Sequence, residues 1–345
     1  MKLLFVLFLI FSLALQAGAT ELTAPEVPRS GQDRMPENRD SFGEALLEIF
    51  RKSEDFFHTE LESALEISVS VLFAAIGFSV LTVITEGVKG PVTIAGVTTV
   101  AVMLFQHTNG MIDYASDAVW EICEYGKLLC PVLTTALAAE GGITTSAALY
   151  TGTTAFIAVL SMLVSRWIIP MVYMFLALSV AHCAVGEESL KKFADAVKSL
   201  LTWLLKTLMI VFTTYLSLTG VISGTTDAAA VKAAKVTIST VVPVVGGILS
   251  DASESFLVSM GIVKNAAGIY GILAVLAVFA GPFLKVGLRF LLLKLTAVLC
   301  GVFGNKNISA VIDSFSSALG LLLAMVAAGS LLVLISTVCF LKGIR

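Results

Sequence analysis

The sequence predicts an all-α, polytopic helical membrane protein with about seven or eight transmembrane helices, and three observations carry that reading. Hydrophobic residues make up 57% of the 345-residue chain and charged residues only 14%, against about a quarter in soluble domains. Mean hydropathy is +0.95, so the solvent for most of the chain must be lipid. Apolar runs near the length of a bilayer crossing recur along the chain, separated by short polar turns.

Charge and cysteine content narrow the function classes. The net charge of −3 shows no basic excess, so nucleic acid is not an expected partner. The lipid bilayer is. Five cysteines form an odd set, and Cys183, Cys300 and Cys339 lie in apolar runs, where a thiol behaves as a small hydrophobe. Cys123 and Cys130 lie two turns apart on a continuous helix, roughly 10 Å and beyond disulfide reach, so a bridge there requires a chain reversal before Pro131.

The N-terminus has the parts of an export signal. Lys2 precedes an apolar run from Leu3 to Leu15, followed by Ala17-Gly18-Ala19, an A-x-A site with cleavage expected after Ala19. The alternative is an uncleaved first membrane helix, although the run is shorter than the roughly 20 residues of a crossing. Residues 20–40, with Pro25, Pro28, Gly31, Pro36 and many charges, have too few apolar groups to build a core and read as a polar tether. Over 41–64, Phe42, Leu46, Phe50, Phe57 and Leu61 recur near helical spacing, continuing to Leu65. Glu44, Glu48, Lys52, Glu54 and Glu60 lie between them. This predicts an extracytoplasmic amphipathic helix packed on the membrane domain or its surface.

The membrane domain is expected over 65–345. Its long apolar runs are 67–85, 92–105, 147–164, 167–185, 200–218, 266–280, 286–303 and 319–341. Two shorter stretches, 128–139 and 236–249, carry Pro131, and Pro243 with Gly246 and Gly247, and read as broken or re-entrant segments. They suggest an internal repeat. Pro131 and Pro243 lie 112 positions apart, as do Pro170 and Pro282, and Gly110 to Ala118 resembles Gly220 to Ala228 as a G-x-I…D-A turn. With the short segment entering and leaving by one face, units of about 92–199 and 200–317, followed by a final helix at 318–341, each make three crossings and so form an inverted repeat, an arrangement typical of transporters.

No catalytic signature is present: H-E-x-x-H, G-x-S-x-G and a phosphate-binding loop are all missing from the sequence, and no enzyme activity or cofactor is expected. His182 adjoins Cys183, but neighbouring side chains diverge on a helix, so no metal site is expected either. Polar groups gather instead around the second broken segment. Asp227, Lys232, Lys235 and Asp251 flank Pro243, Gly246 and Gly247, and with Pro131 they form a candidate passage through the membrane. A surface hairpin with its charges in water is the competing reading. Lys285, Arg289 and Lys294 sit at or within apolar runs, where Arg289 and Lys294 can snorkel toward a membrane face. Gly320, Ala324 and Ala328 form a small-residue stripe suited to close helix packing.

Residues 220–257, GVISGTTDAAAVKAAKVTISTVVPVVGGILSDASESFL, and above all the P-V-V-G-G-x-x-S-D-A stretch from Pro243 to Ala252, resemble the stage III sporulation protein AE family of endospore-forming bacteria. The resemblance extends over nearly the whole chain, although the polar region after the signal is short for the family. It implies a role in sporulation, in the mother-cell membrane surrounding the engulfed forespore. There the family joins membrane and extracytoplasmic proteins of the same operon in a transenvelope channel complex that sustains late forespore gene expression. Family members are described as permease-like. The expected function is therefore a conducting or gating subunit, with a non-conducting assembly scaffold as the alternative.

Overall fold

The computed structural model describes residues 24–37, 42–85, 89–241, 246–302 and 306–342; between 220 and 265 it describes the course of the helices without their side chains. Every regular element among the described residues is helical. In chain order these are α1 (Arg29–Gln32), α2 (Phe42–Lys52), α3 (Glu54–Ile84), α4 (Lys89–Ala139), α5 (Ile143–Leu163), a π-helical turn (Val164–Ile168), α6 (Ile169–Val185), α7 (Glu188–Val241), α8 (Gly246–Val302) and α9 (Lys306–Lys342).

Six helical stretches among the described residues are long and apolar enough to cross a membrane. The eight apolar runs map onto fewer rods because the breaks expected between some of them do not occur. The runs at 147–164 and 167–185 join through the π-turn into one stretch, Ile143–Val185, and those at 266–280 and 286–303 both lie on α8. Arg166 falls inside the π-turn, so one polar residue did not end the helix. At 51 residues, α4 is about 76 Å long, more than twice the roughly 30 Å of a hydrocarbon core, and must extend well beyond it.

The segment around Pro131 is neither broken nor re-entrant. Pro131 lies inside α4, at an exposed position. Leu129, Cys130, Leu133 and Leu137 are buried on either side of it. The hydroxyls of Thr134 and Thr135 donate to the carbonyls of Cys130 and Pro131 at 2.6 and 2.8 Å. Gly110 to Ala118 is likewise helical rather than a turn. Pro282 lies inside α8, and Pro170 follows the π-turn within the continuous stretch Ile143–Val185. In the second segment, residues 242–245, including Pro243, lie outside the described residues.

The expected tether is packed against the body where it is described. Val27 and Met35 are buried, and a Cβ at Gly31 would lie 2.7 Å from Val278 Cγ2 on α8. Lys52 Nζ donates to the Met35 carbonyl at 2.9 Å, and the Ser30 hydroxyl donates to Glu121 on α4. The segment has too few apolar groups for a core of its own. Here a few apolar side chains use the core of another element.

On α2, Ala45 and Ile49 face the body, while Phe42, Leu47 and Phe50 are exposed. The buried face is thus displaced from the expected phenylalanine stripe. Large aromatic groups need no protein neighbour where lipid can solvate them.

Long helices are fixed to one another by glycines and hydroxyls. Helices α8 and α9 run antiparallel, with Ser309 Oγ donating to the Ala297 carbonyl at 2.7 Å and Ser316 Oγ to that of Phe290 at 3.1 Å. Thr153 on α5 hydrogen-bonds Ser336 on α9, and Tyr173 OH on α6 donates to Asn109 Oδ1 on α4 at 2.5 Å. In the small-residue stripe, Ala328 is buried and Gly320 approaches the Phe290 ring, but Ala324 is exposed, so the stripe is not one continuous interface. Tighter approaches occur at Gly152, Gly268 and Gly271, where an added Cβ would meet Tyr215, Leu341 and Leu129 at 2.5 Å or less. At the end of α6, Gly186 takes the left-handed conformation (φ 79°) and its N–H bonds the His182 carbonyl, closing the helix at the predicted polar turn. All five cysteines are free.

Candidate functional site

Charges inside an apolar body must find partners, and such a cluster stands among the described residues. Lys285 and Arg289 stand four residues apart on α8, which places both on one helical face. Opposite them on α3 is Glu60, only 8% exposed. Lys285 Nζ donates to Glu60 Oε1 at 2.7 Å, while Arg289 Nη2 reaches Glu60 Oε2 at 3.5 Å and Ser63 Oγ at 3.3 Å. Lysine is therefore the tight partner and arginine the loosely held one. Lys285 Nζ also lies 5.1 Å from the ring centroid of Tyr114, which brings α4 into the cluster through a cation–π contact. Two cations share one carboxylate, so the cluster carries a net positive charge. Arg289 does not snorkel; it is held in the protein with its side chain 13% exposed.

Immediately beside Arg289 is a small cavity of about 10 Å³, lined by Ser68, Leu104, His107, Thr108, Arg289 and Leu293 among others. Two buried polar atoms on its lining residues, Ser68 Oγ and Arg289 Nε, have no hydrogen-bond partner among the described residues. A second, larger cleft of about 300 Å³ opens beside the π-turn between α4 and α5, lined by Ser116, Asp117, Trp120, Ser161 and Ser165. There the i→i+5 turn widens the helix at a polar surface, a setting in which π-turns recur at functional sites. Asp117 is exposed.

The expected passage residues are not brought into this cluster as far as the description extends. Pro131 is exposed within α4. Asp227, Lys232 and Lys235 lie on the backbone of α7, and Gly246, Gly247 and Asp251 on the first turns of α8. The side chains of all six, together with Pro243 and the cleavage position Ala19, lie outside the described residues. The cluster that is described was only half visible in the sequence. Two cations four apart in an apolar run signal a buried partner, but Glu60 stands 225 positions from Lys285 and looked like one more carboxylate on a solvated face.

Lys294 and Asp313 form the outer ion pair of α8 and α9 at 2.5 Å, with side chains 47% and 45% exposed. Replacement of Lys294 by Gln is expected to change stability by less than about 1 kcal/mol, to be checked by thermal unfolding of the purified protein.

The family model described as stage III sporulation protein AE matches residues 35–342, which takes in every helix from α2 to α9. The chain belongs to this family. A relative of that name from Bacillus subtilis (strain 168) is 22% identical over 225 residues, covering 65% of this chain and 56% of the relative. The alignment thus spans little more than half of the relative's length. No solved structure matches. Membership in the stage III sporulation protein AE family supports a role in sporulation, and the family match includes the Glu60–Lys285–Arg289 cluster.

Proposed function

We propose that this chain is the permease-like membrane subunit of a transenvelope channel complex linking mother cell and forespore, required for late forespore gene expression and spore formation. In this reading it resides in the mother-cell membrane surrounding the forespore. Its partners are the other membrane and extracytoplasmic proteins of the same sporulation operon. The observation that carries the proposal is the family match across the whole helical body, 35–342, on a fold with six candidate spans among its described residues. Deleting the gene is expected to permit engulfment, block late forespore gene expression and leave few heat-resistant spores. Normal spore yield in a deletion strain with no second copy of the gene defeats the proposal.

The scaffold reading has one structural observation in its favour. Helix α4 continues through Pro131, so one of the two interruptions expected to line a passage is missing. A scaffold keeps its function when Asp227, Lys232, Lys235 and Asp251 are neutralised together, whereas a conduit is sensitive to their loss.

A further inference from the structure

We infer that a lipid bilayer seats across one slab of the body, that a belt of Trp120, Trp167 and Trp203 marks one of its faces, and that α3 stands outside it. The slab is located by contacts that match levels on neighbouring helices. Thr153 of α5 hydrogen-bonds Ser336 of α9, and the Phe156 ring lies 5.1 Å from that of Phe212 on α7. A Cβ on Gly329 of α9 would touch both Val119 of α4 and Leu160 of α5. Cβ atoms on Gly268 and Gly271 of α8 would meet Leu341 of α9 and Leu129 of α4. Around these contacts the segments 128–139, 143–163, 207–219, 266–284 and 321–341 lie side by side, and none of them contains a charged residue. Residues 143–163 rise about 30 Å, the thickness of a hydrocarbon core. Val159, Ile210, Val211 and Leu331 are exposed on the slab and present its surface to lipid.

The tryptophans mark where that layer ends. The chain has three, all exposed and on three separate helical stretches. Trp120 adjoins Val119 and so stands near the level of Leu160. Trp203 precedes Phe212 by nine residues and Trp167 follows Phe156 by eleven, on stretches that run antiparallel. All three therefore fall within about 10 Å of one another along the body. Exposed tryptophans at one level are what a membrane–water interface selects, and Arg166 and Lys206 are exposed beside them. Phe50 of α2 and Leu284, the last residue of the charge-free part of α8, line one cleft, which brings the exposed apolar face of α2 to the same boundary. Beyond the belt the surface changes. Asp113, Lys191, Lys192 and Asp195 are exposed there, with the half-exposed Lys294–Asp313 pair, and such charges are costly in hydrocarbon. Helix α3 lies on this side. A Cβ on Gly96 would touch both Phe78 of α3 and Ile308 of α9, and Ile308 stands 28 residues, about 42 Å, from Ser336 in the middle of the slab. The apolar run of α3 is long enough to cross a membrane, yet the packing places it outside this one.

The test uses the full chain reconstituted in phosphatidylcholine vesicles whose acyl chains carry bromine near the carbonyl, at mid-chain or near the chain end. Bromine quenches tryptophan only at close range, so the three lipids report depth whichever way the protein inserts. In the unaltered protein, bromine near the carbonyl is expected to quench at least about twofold more than bromine at the chain end, the pattern of interfacial tryptophan. Variants that keep one of the three tryptophans, with the other two replaced by Phe, should each report the same shallow depth. In a background with all three replaced, Tyr150→Trp should be quenched most by the deeper bromines and Phe73→Trp by none of the lipids. Tyr150 and Phe73 are both exposed, so neither change disturbs a packed core. Deep quenching of Phe73→Trp with none of Tyr150→Trp overturns the inference and moves the bilayer across α3. Deep quenching at both positions overturns it as well, because lipid then covers both sides of the belt. Unequal depths among the three native tryptophans dissolve the belt itself.

Discussion

Replacing Glu60 by Ala is expected to destabilise the protein by about 3 kcal/mol, the lower end of the range for breaking a buried ion pair. Glu60 is 8% exposed and is the shared counter-charge of Lys285 and Arg289, so its removal leaves two cations without a counter-charge. The lower end applies because the Lys285 side chain is 23% exposed and recovers some hydration. Thermal or denaturant unfolding of the detergent-solubilised protein measures the loss. Glu60→Gln should fall between wild type and Glu60→Ala, since it retains an acceptor for Lys285. In a Lys285→Met background the cost of Glu60→Ala should shrink, because only the more loosely held arginine then loses its partner. A Glu60→Ala protein within about 0.5 kcal/mol of wild type shows that the charges are solvated and that the cluster does not join α3 to α8.

The second large effect is expected at Gly152, where Gly152→Ala should cost about 3 kcal/mol, the upper end of the range for overpacking. An added Cβ would lie 1.9 Å from Tyr215 Cε1 and 2.6 Å from Cζ, far inside contact distance. The ring cannot yield cheaply. Tyr215 OH donates to the Ala148 carbonyl at 2.9 Å, one turn before Gly152, and the ring stands 5.9 Å from that of Phe156, which packs in turn on Phe212. Moving Tyr215 therefore sacrifices a hydrogen bond and an aromatic contact between α5 and α7 together. The matched control is Gly110→Ala on α4, where no atom lies within 4 Å of the new Cβ. There the helix should gain about 0.5–1 kcal/mol from the reduced freedom of the unfolded chain. Combining Gly152→Ala with Tyr215→Ala should cost much less than the sum of the two single changes. Strict additivity would mean that the two residues do not meet.

What the sequence revealed of the fold was whatever depends on local composition and period. Lipid as solvent follows from 57% hydrophobic residues, and the stop at Gly186 follows from a glycine after an apolar run and before two glutamates. Breaks were harder to read. Proline at 131 is a local signal for interruption, and the runs 147–164 and 167–185 read as separate, yet both places lie in continuous helical stretches. Buried Leu129, Cys130 and Leu133 flank Pro131, and a π-turn accommodates Arg166. The phase of α2 was misjudged for a related reason. A hydrophobic residue in a membrane protein can face lipid as readily as core, so Phe42 and Phe50 carry no information about which side packs.

By itself, the sequence determined the solvent of this chain, its helical class and its kinship with a sporulation family, because each is written in composition, period or contiguous residues. Only the tertiary structure decided that Glu60 answers Lys285 and Arg289, that residues 24–37 lie against α8 and that Gly152 receives Tyr215. Those partners are separated by 63 to more than 220 positions. No local pattern encodes which of many chemically eligible carboxylates, glycines or rings meet when helices of 50 residues pack side by side.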